Sequence, residues 1–482
     1  MELLSPAGSA DKLRYCWTYG ADAAYIGLKN FSLRVKADNF YGEEYQKVRA
    51  LKERFPGKKL YCALNISFHN GEIDRFLADI PYFRLYPIDA FIVQDLGIVP
   101  ILQREFPGTA LHLSTQASCM NREAVKVYKS LGFSRIVMGR EASLREIGEI
   151  KDAVPDMEIE CFVHGAMCIA YAGRCLMSAY LNGRSAQEGF CSHTCRWDYD
   201  VLANEEAVQA AARAVAQSGA LALREHKRPD EYFPVYEGDN FTAVLSSKDL
   251  CMIDHLAQLK SAGVDSLKIE GRMKSVYYVA IVTSAYRKAL DALEGTISAE
   301  EAAPFREELF NVSHRPFSTG FYFGREEADK TASGASDSPW QLAAQVGEPY
   351  SDEARDAVLA KGRELKERRQ AAFDALVPAA QAAWRRREAA LPDKYLPPVE
   401  NRAGWRMYPV EALNMIGQDS TLELITPERG AQRLGREDFL LVNPNTGEVY
   451  RWVCADHPCV IYTRIVCPDG SLLRAQAGEE TA

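Results

Sequence analysis

Eight short apolar runs recur along the first 270 or so residues, and helical stretches lie between them. The runs are Glu2–Ser5, Ala23–Gly27, Leu60–Ile66, Ala90–Gln94, Leu111–Thr115, Arg135–Met138, Glu158–Val163 and Ser266–Ile269. Each is flanked by Gly or polar residues, as a strand buried on both faces should be. The intervening segments, such as Arg122–Leu131 and Val276–Leu293, read as helices, and Ala124, Val127, Tyr128 and Leu131 share one helical face. Strand and helix in alternation, eight times, predict an α/β fold: a (β/α)8 TIM-like barrel. An open doubly wound sheet is the alternative. No G-x-G-x-x-G follows the first run, which disfavours a dinucleotide-binding version of it. About a hundred residues separate Val163 from Ser266, where a plain βα unit needs about thirty. The barrel is therefore expected to carry an insertion, over roughly 165–245.

The 482 residues exceed one ordinary domain. We expect a catalytic barrel over 1–330, a charged helical insert or linker over 331–398, and a small antiparallel β-barrel over 399–482. The last is read from short alternating runs at Ser420–Ile425, Phe439–Val442, Tyr450–Val453 and Cys459–Arg464. Apolar residues make up 47% and the net charge is −9, so a protein that coats nucleic acid through a basic surface is disfavoured, while a shaped RNA site with local Arg and Lys is not. No apolar run reaches the roughly 20 residues that cross a bilayer, and the first residues carry no export signal. A cytoplasmic protein without membrane contact is expected, its cysteines being thiols or metal ligands.

A barrel of this kind places its active site at the C-terminal strand ends. Those ends read Ser5-Pro6-Ala7-Gly8, Gly27, Asn65, Asp95, Ser114-Thr115-Gln116, Arg140-Glu141, His164-Gly165 and Glu270-Gly271-Arg272. Five of the 12 cysteines fall between 161 and 195. Cys168, Cys175, Cys191 and Cys195 have the spacing C-x6-C-x15-C-x3-C, and four thiolates in that window can enclose a [4Fe–4S] cluster. Structural zinc, with His193 as a further ligand, is the competitor. Cys161 reads as core. Cys251 is the reserve ligand should Cys195 not serve. Cys454, Cys459 and Cys467 read as packing or free thiols. H-E-x-x-H and G-x-S-x-G are both absent, and a Cys–His pair such as Cys168 with His164 can be drawn as nucleophile and base, although four clustered cysteines are an odd way to build one thiolate nucleophile.

The blocks Glu2-Leu-Leu-Ser-Pro-Ala-Gly8, Tyr19 to Gly27, Leu33-Arg34 with Asn39-Phe40, Ser114-Thr-Gln116, Arg140-Glu141 and Phe162 to Trp197 resemble peptidase family U32, the collagenase-like proteins. So do Ser247-Lys-Asp-Leu250, Ser266 to Arg272, Lys274-Ser275 with Tyr277-Tyr278, and His314 to Gly320. The resemblance implies oxygen-independent hydroxylation with a [4Fe–4S] cluster on Cys168, Cys175, Cys191 and Cys195. Different branches act on tRNA wobble uridine, an rRNA cytidine or a quinone precursor. The tRNA branch is the nearest, through its cysteine spacing, Arg228-Pro-Asp-Glu-Tyr232 and a C-terminal domain with Tyr408-Pro-Val-Glu411 and Leu422 to Pro427. That branch implies prephenate as hydroxyl donor and the tRNA anticodon loop as partner, with an electron-donor protein as a further candidate. An anionic donor calls for cations, and Arg34, Arg140, Arg174 and Arg272 are the candidates. His164 and Glu270 are candidates for proton transfer. Tyr171, Trp197 and Tyr277 are candidate stacking platforms for a flipped base. Residues 351–395 depart from the family: they form an Ala-, Arg- and Glu-rich helical insert whose Arg385-Arg-Arg387 could touch RNA, a solvated hairpin being the plainer reading.

Overall fold

The structure, a computed structural model, describes residues 1–29, 31–33, 39–168, 170, 175, 177–178, 221–224, 232–238, 241–243, 247–324, 338–390, 395–396 and 401–476. The chain divides into two compact units, Met1–Asp337 and Ser338–Ala482.

The first unit is the expected barrel. Seven strands, β1 (Glu2–Pro6), β2 (Ala23–Ile26), β3 (Lys59–Leu64), β4 (Ala90–Val93), β5 (Ala110–Leu113), β6 (Arg135–Val137) and β7 (Glu158–Ala166), pair in sequence order. An eighth, β8 (Ser266–Ile269), lies between β7 and β1, parallel to both, and closes the ring. Helices α1 (Ala10–Thr18), α2 (Glu44–Arg54), α3 (Asn70–Phe83), α4 (Val99–Glu105), α5 (Arg122–Ser130) and α6 (Leu144–Ala153) alternate with the strands, and α7 (Val276–Leu293) follows β8. Their starts are chemically marked. Ser9, Asn121, Ser143 and Ser275 each accept an N–H of the first turn through the side chain. Twelve of the 18 residues of α7 are buried, and its Thr283 hydroxyl meets that of Ser5 on β1 at 2.7 Å.

β7 is nine residues long and forks. Residues 160–164 pair with β8, while residues 164–166 pair antiparallel with Asp249–Cys251. Phe317–Ser318 extends this flap, and Arg315 grips Asp249 with its Nε at 3.1 Å, its Nη2 at 2.6 Å and its backbone N–H at 3.0 Å. The inserted segment also contains a three-stranded antiparallel sheet of Leu221–Arg224, Tyr232–Gly238 and Phe241–Ala243.

The N-terminal half of the barrel interior is charged. Glu160, with no exposed surface, receives Lys268 Nζ at 2.7 Å and Arg135 Nη1 at 3.0 Å. The Arg135 group also binds Glu2 at 2.5 Å, and Tyr61 and Ser266 donate to the same carboxylate at 2.7 and 3.0 Å. Two acids and two bases neutralise one another inside the ring, which is what permits charges to be buried there at all.

The second unit contains a nine-stranded antiparallel sheet, a half-barrel. An interior strand, Trp340–Val346, is hydrogen-bonded between Arg406–Ala412 and Leu472–Gln476. The sequence reading begins this domain at 399 and treats 331–398 as a linker. In the structure the β-domain already starts at Trp340, because Ala343, Ala344 and Val346 are part of its core. The helices α8 (Asp352–Asp374) and α9 (Pro378–Ala390) thus interrupt the domain instead of preceding it. Val358 and Leu359 anchor α8 among Trp405, Met407, Val442, Val449, Val460 and Tyr462. Gly362 lies so close to Gly447 that a Cβ would collide with its carbonyl. Among the described residues no helix is long and apolar enough to cross a membrane.

Candidate functional site

Polar side chains gather where β6, β7 and β8 end. Arg140, three residues past β6, places its guanidinium carbon 4.0 Å from the centroid of the Phe162 ring. Its Nη1 donates to the Ala166 carbonyl at 2.6 Å and its Nη2 to Glu270 at 3.3 Å. Its Nε is buried without a hydrogen-bond partner among the described residues. The structure thus brings together two candidates far apart in sequence, Arg140 and Glu270, as an ion pair at the strand ends.

Arg272 is buried and donates to Ser32 Oγ at 2.8 Å. Two glycines make its berth. A Cβ on Gly27 would strike Arg272 Nη1 and Ser32 Oγ, and one on Gly8 would strike the Arg272 carbonyl. Gly165 and Gly271 serve Tyr278 in the same way. Both have positive φ, +107° and +151°, and a Cβ on Gly271 would lie 2.6 Å from the Tyr278 ring. The Tyr278 hydroxyl donates to the Glu270 carbonyl at 3.1 Å, fixing the end of β8.

His164 lies in the barrel wall. Tyr286 donates its one proton to the Val163 carbonyl at 2.7 Å, so the 3.4 Å contact between Tyr286 and His164 Nδ1 makes Nδ1 the donor. Burial drives its pKa down to about 3, against a partial pull upward from Asp249. The imidazole is therefore neutral near pH 7, and its low proton affinity makes it a weak base for a Cys168 nucleophile. Burial likewise holds His112, edge-on to Tyr61 at 4.8 Å, well below the ordinary histidine range, with Arg135 adding to the effect. A histidine whose folded pKa is depressed takes up its proton more readily when unfolded. Stability is thus complete above pH 6.5 and declines below it, by about 1.4 kcal/mol per pH unit for His164 until its folded pKa is reached. Urea unfolding between pH 7.5 and 5 checks this. The midpoint should fall on acidification, and His164→Phe should flatten the profile.

Cys168, two residues beyond β7, is exposed, and Cys175 is half-buried. The other cysteines described in this unit are placed differently: Cys16, Cys62, Cys119 and Cys161 are buried, with pKa values raised chiefly by that burial. Cys251, the reserve ligand, pairs across the flap with His164, and its Sγ is 3.9 Å from the Tyr286 hydroxyl. Cys191, Cys195, Arg34 and Arg174 lie outside the described residues, as do His193, Tyr171 and Trp197. Among the described residues no group of three or more metal-ligating side chains occurs. Tyr277, proposed as a stacking platform, is buried and directs its hydroxyl to the Asn311 carbonyl at 3.5 Å, so it packs. The sequence reading missed Tyr278, Tyr286, Ser32 and the Asp249–Arg315 pair. Only the Lys274-Ser275 and Tyr277-Tyr278 block and the His314 to Gly320 block hinted at their neighbourhood.

The model of peptidase family U32 matches residues 8–332. The chain belongs to that family. The matched range takes in the barrel from just after β1, and the half-barrel unit follows it. The chain is 40% identical over 342 residues to the tRNA hydroxylation protein P of Escherichia coli, covering 66% of this chain and 74% of that protein. It is 34% identical over 351 residues to a 23S rRNA 5-hydroxycytidine synthase of the same organism, covering 72% of this chain and 48% of that protein. It is 27% identical over 342 residues to a collagenase of Porphyromonas gingivalis, covering 68% of this chain and 75% of that protein.

Proposed function

We propose that this U32 protein hydroxylates RNA, converting the wobble uridine of tRNA to 5-hydroxyuridine without molecular oxygen, with prephenate as the hydroxyl donor. The observation that carries the reading is the 40% identity to a tRNA hydroxylation protein over most of the barrel. The identity to the collagenase is lower, at 27%, and burial leaves His164 only a weak base.

A [4Fe–4S] cluster fits the donor chemistry of this end of the barrel. Cys168 and Cys175 are thiols held out of the core beyond β7, and the sequence supplies Cys191 and Cys195 as the further two sulfurs a four-thiolate set would need. When bound, such a cluster supplies one-electron transfer, and an electron-donor protein would be its partner. The protein's own groups do the rest. Arg140, whose Nε has no partner among the described residues, and Arg272 present cations where a dicarboxylate can be received, and Arg34 and Arg174 remain candidates from the sequence. Glu270, oriented by Arg140, is the carboxylate able to hold or move a proton at the strand ends. His164 positions the wall by donating to Tyr286.

The test is anaerobic incubation of the iron-loaded chain with unmodified tRNA and prephenate, followed by nucleoside mass spectrometry. 5-Hydroxyuridine that forms only with prephenate present is the expected result. Activity on rRNA cytidine or a quinone precursor instead, or proteolysis independent of iron, would replace the reading.

A further inference from the structure

The helical insert of the second unit is anchored mainly at its base. Up to Gly362, α8 is held by Val358 and Leu359. From Arg363 to Arg386 no side chain is buried. There Arg369 still pairs with Glu448 of the domain at 2.8 Å, and otherwise the two helices hold each other. Phe373 and Trp384 meet edge-to-face at 6.4 Å, Gln381 donates to the Phe373 carbonyl at 3.2 Å, and Arg385 lies over the Phe373 ring at 5.2 Å. Beyond Gly362, α8 runs 12 more residues, about 18 Å at the usual rise per residue.

This arm is charged against the trend of the chain. Residues 363–386 hold six cations and three acids, a net +3, in a protein whose net charge is −9. Some of the cations are spent: Arg369 pairs with Glu448 at 2.8 Å, and Arg368 lies 3.8 Å from Glu364. Arg363, Lys366 and Arg386 are exposed and have no acidic partner among the described residues. An exposed helical pair with uncompensated cations has no packing role to explain it. It also lies after residue 332, where the match to the family ends.

We propose that this arm is a phosphate-contacting arm for structured RNA, gripping the backbone of the tRNA whose base the barrel modifies. The proposal rests on the reading of the protein as a tRNA hydroxylase. Phosphate contacts of this kind fix register without reading sequence, and they release counter-ions, so they weaken steeply with salt.

The test compares the full chain with a variant carrying Arg363→Gln, Lys366→Gln and Arg386→Gln, all at exposed positions. Binding to unfractionated tRNA is measured between 50 and 200 mM KCl, with iron content and thermal midpoint as controls. The variant should bind about 5- to 10-fold more weakly at 100 mM salt, with the log–log salt slope reduced by about 2, the share of three contacts. Its turnover at saturating RNA should be unchanged. Equal affinity and equal slope would overturn the arm's role while leaving the hydroxylase reading intact. A variant slower in turnover with RNA affinity unchanged would mean that the arm docks a protein, and would also overturn it. A wild-type chain with no affinity for tRNA would overturn the hydroxylase reading itself.

Discussion

A chain carrying Cys168→Ser should fold normally, lose most of its iron and acid-labile sulfide, and form no 5-hydroxyuridine. Cys168 is exposed two residues past β7, so replacing its sulfur opens no cavity and breaks no packing. A loss of product together with iron, with the unfolding midpoint kept, would then belong to the sulfur as ligand. Two further substitutions sharpen the result. Cys161→Ser changes a thiol with no exposed surface inside β7, and it should lower stability by about 1 kcal/mol or more while iron is retained. Cys251→Ser should also retain iron, because that thiol lies against the Tyr286 hydroxyl in the flap. Iron lost on Cys251→Ser and kept on Cys168→Ser would reverse the ligand assignment.

The second large effect is on stability. Glu160→Gln should destabilise the barrel by about 3 to 5 kcal/mol, the range for removing one partner of a buried ion pair. Glu160 has no exposed surface and neutralises both Lys268 and Arg135, which are themselves buried. A glutamine keeps the volume but leaves buried Lys268 without its carboxylate, while Arg135 keeps Glu2 and Glu158. Glu158→Gln is the control. It also faces Arg135, at 2.8 Å, but is half exposed, so its loss should cost about 1 kcal/mol or less. The double change Glu160→Met with Lys268→Met should recover part of the loss, since it removes a charge of each sign together. Urea midpoints of the four proteins give the comparison, and a Glu160→Gln chain as stable as wild type would show that the interior charges are solvated.

The eight barrel strands were legible because each is a short apolar run between turn-forming residues, and the rule that places chemistry at their C-terminal ends led to Arg140, Glu270 and Arg272 before any contact was known. The contacts themselves were not legible. Arg140 and Glu270 meet across 130 positions and Asp249 and Arg315 across 66, and neither separation leaves a periodic trace. The charged interior was hidden for a related reason: Arg135 and Glu160 sit in runs read as apolar strands, and only ring closure by β8 brings Lys268 to them. In the second unit Trp340–Val346 escaped notice because it is severed from its neighbours in the sheet by the two helices. His164 was marked for its position at a strand end, whereas its burial, which decides its protonation, is a property of the packed barrel.

The most direct test of the central claim is nucleoside mass spectrometry of tRNA and rRNA from a strain lacking this gene, beside its parent and a strain carrying the gene back. The account predicts that 5-hydroxyuridine and its derivatives disappear from tRNA alone and return with the wild-type gene but not with Cys168→Ser. Full retention of 5-hydroxyuridine in a strain with no second enzyme for it would contradict the account.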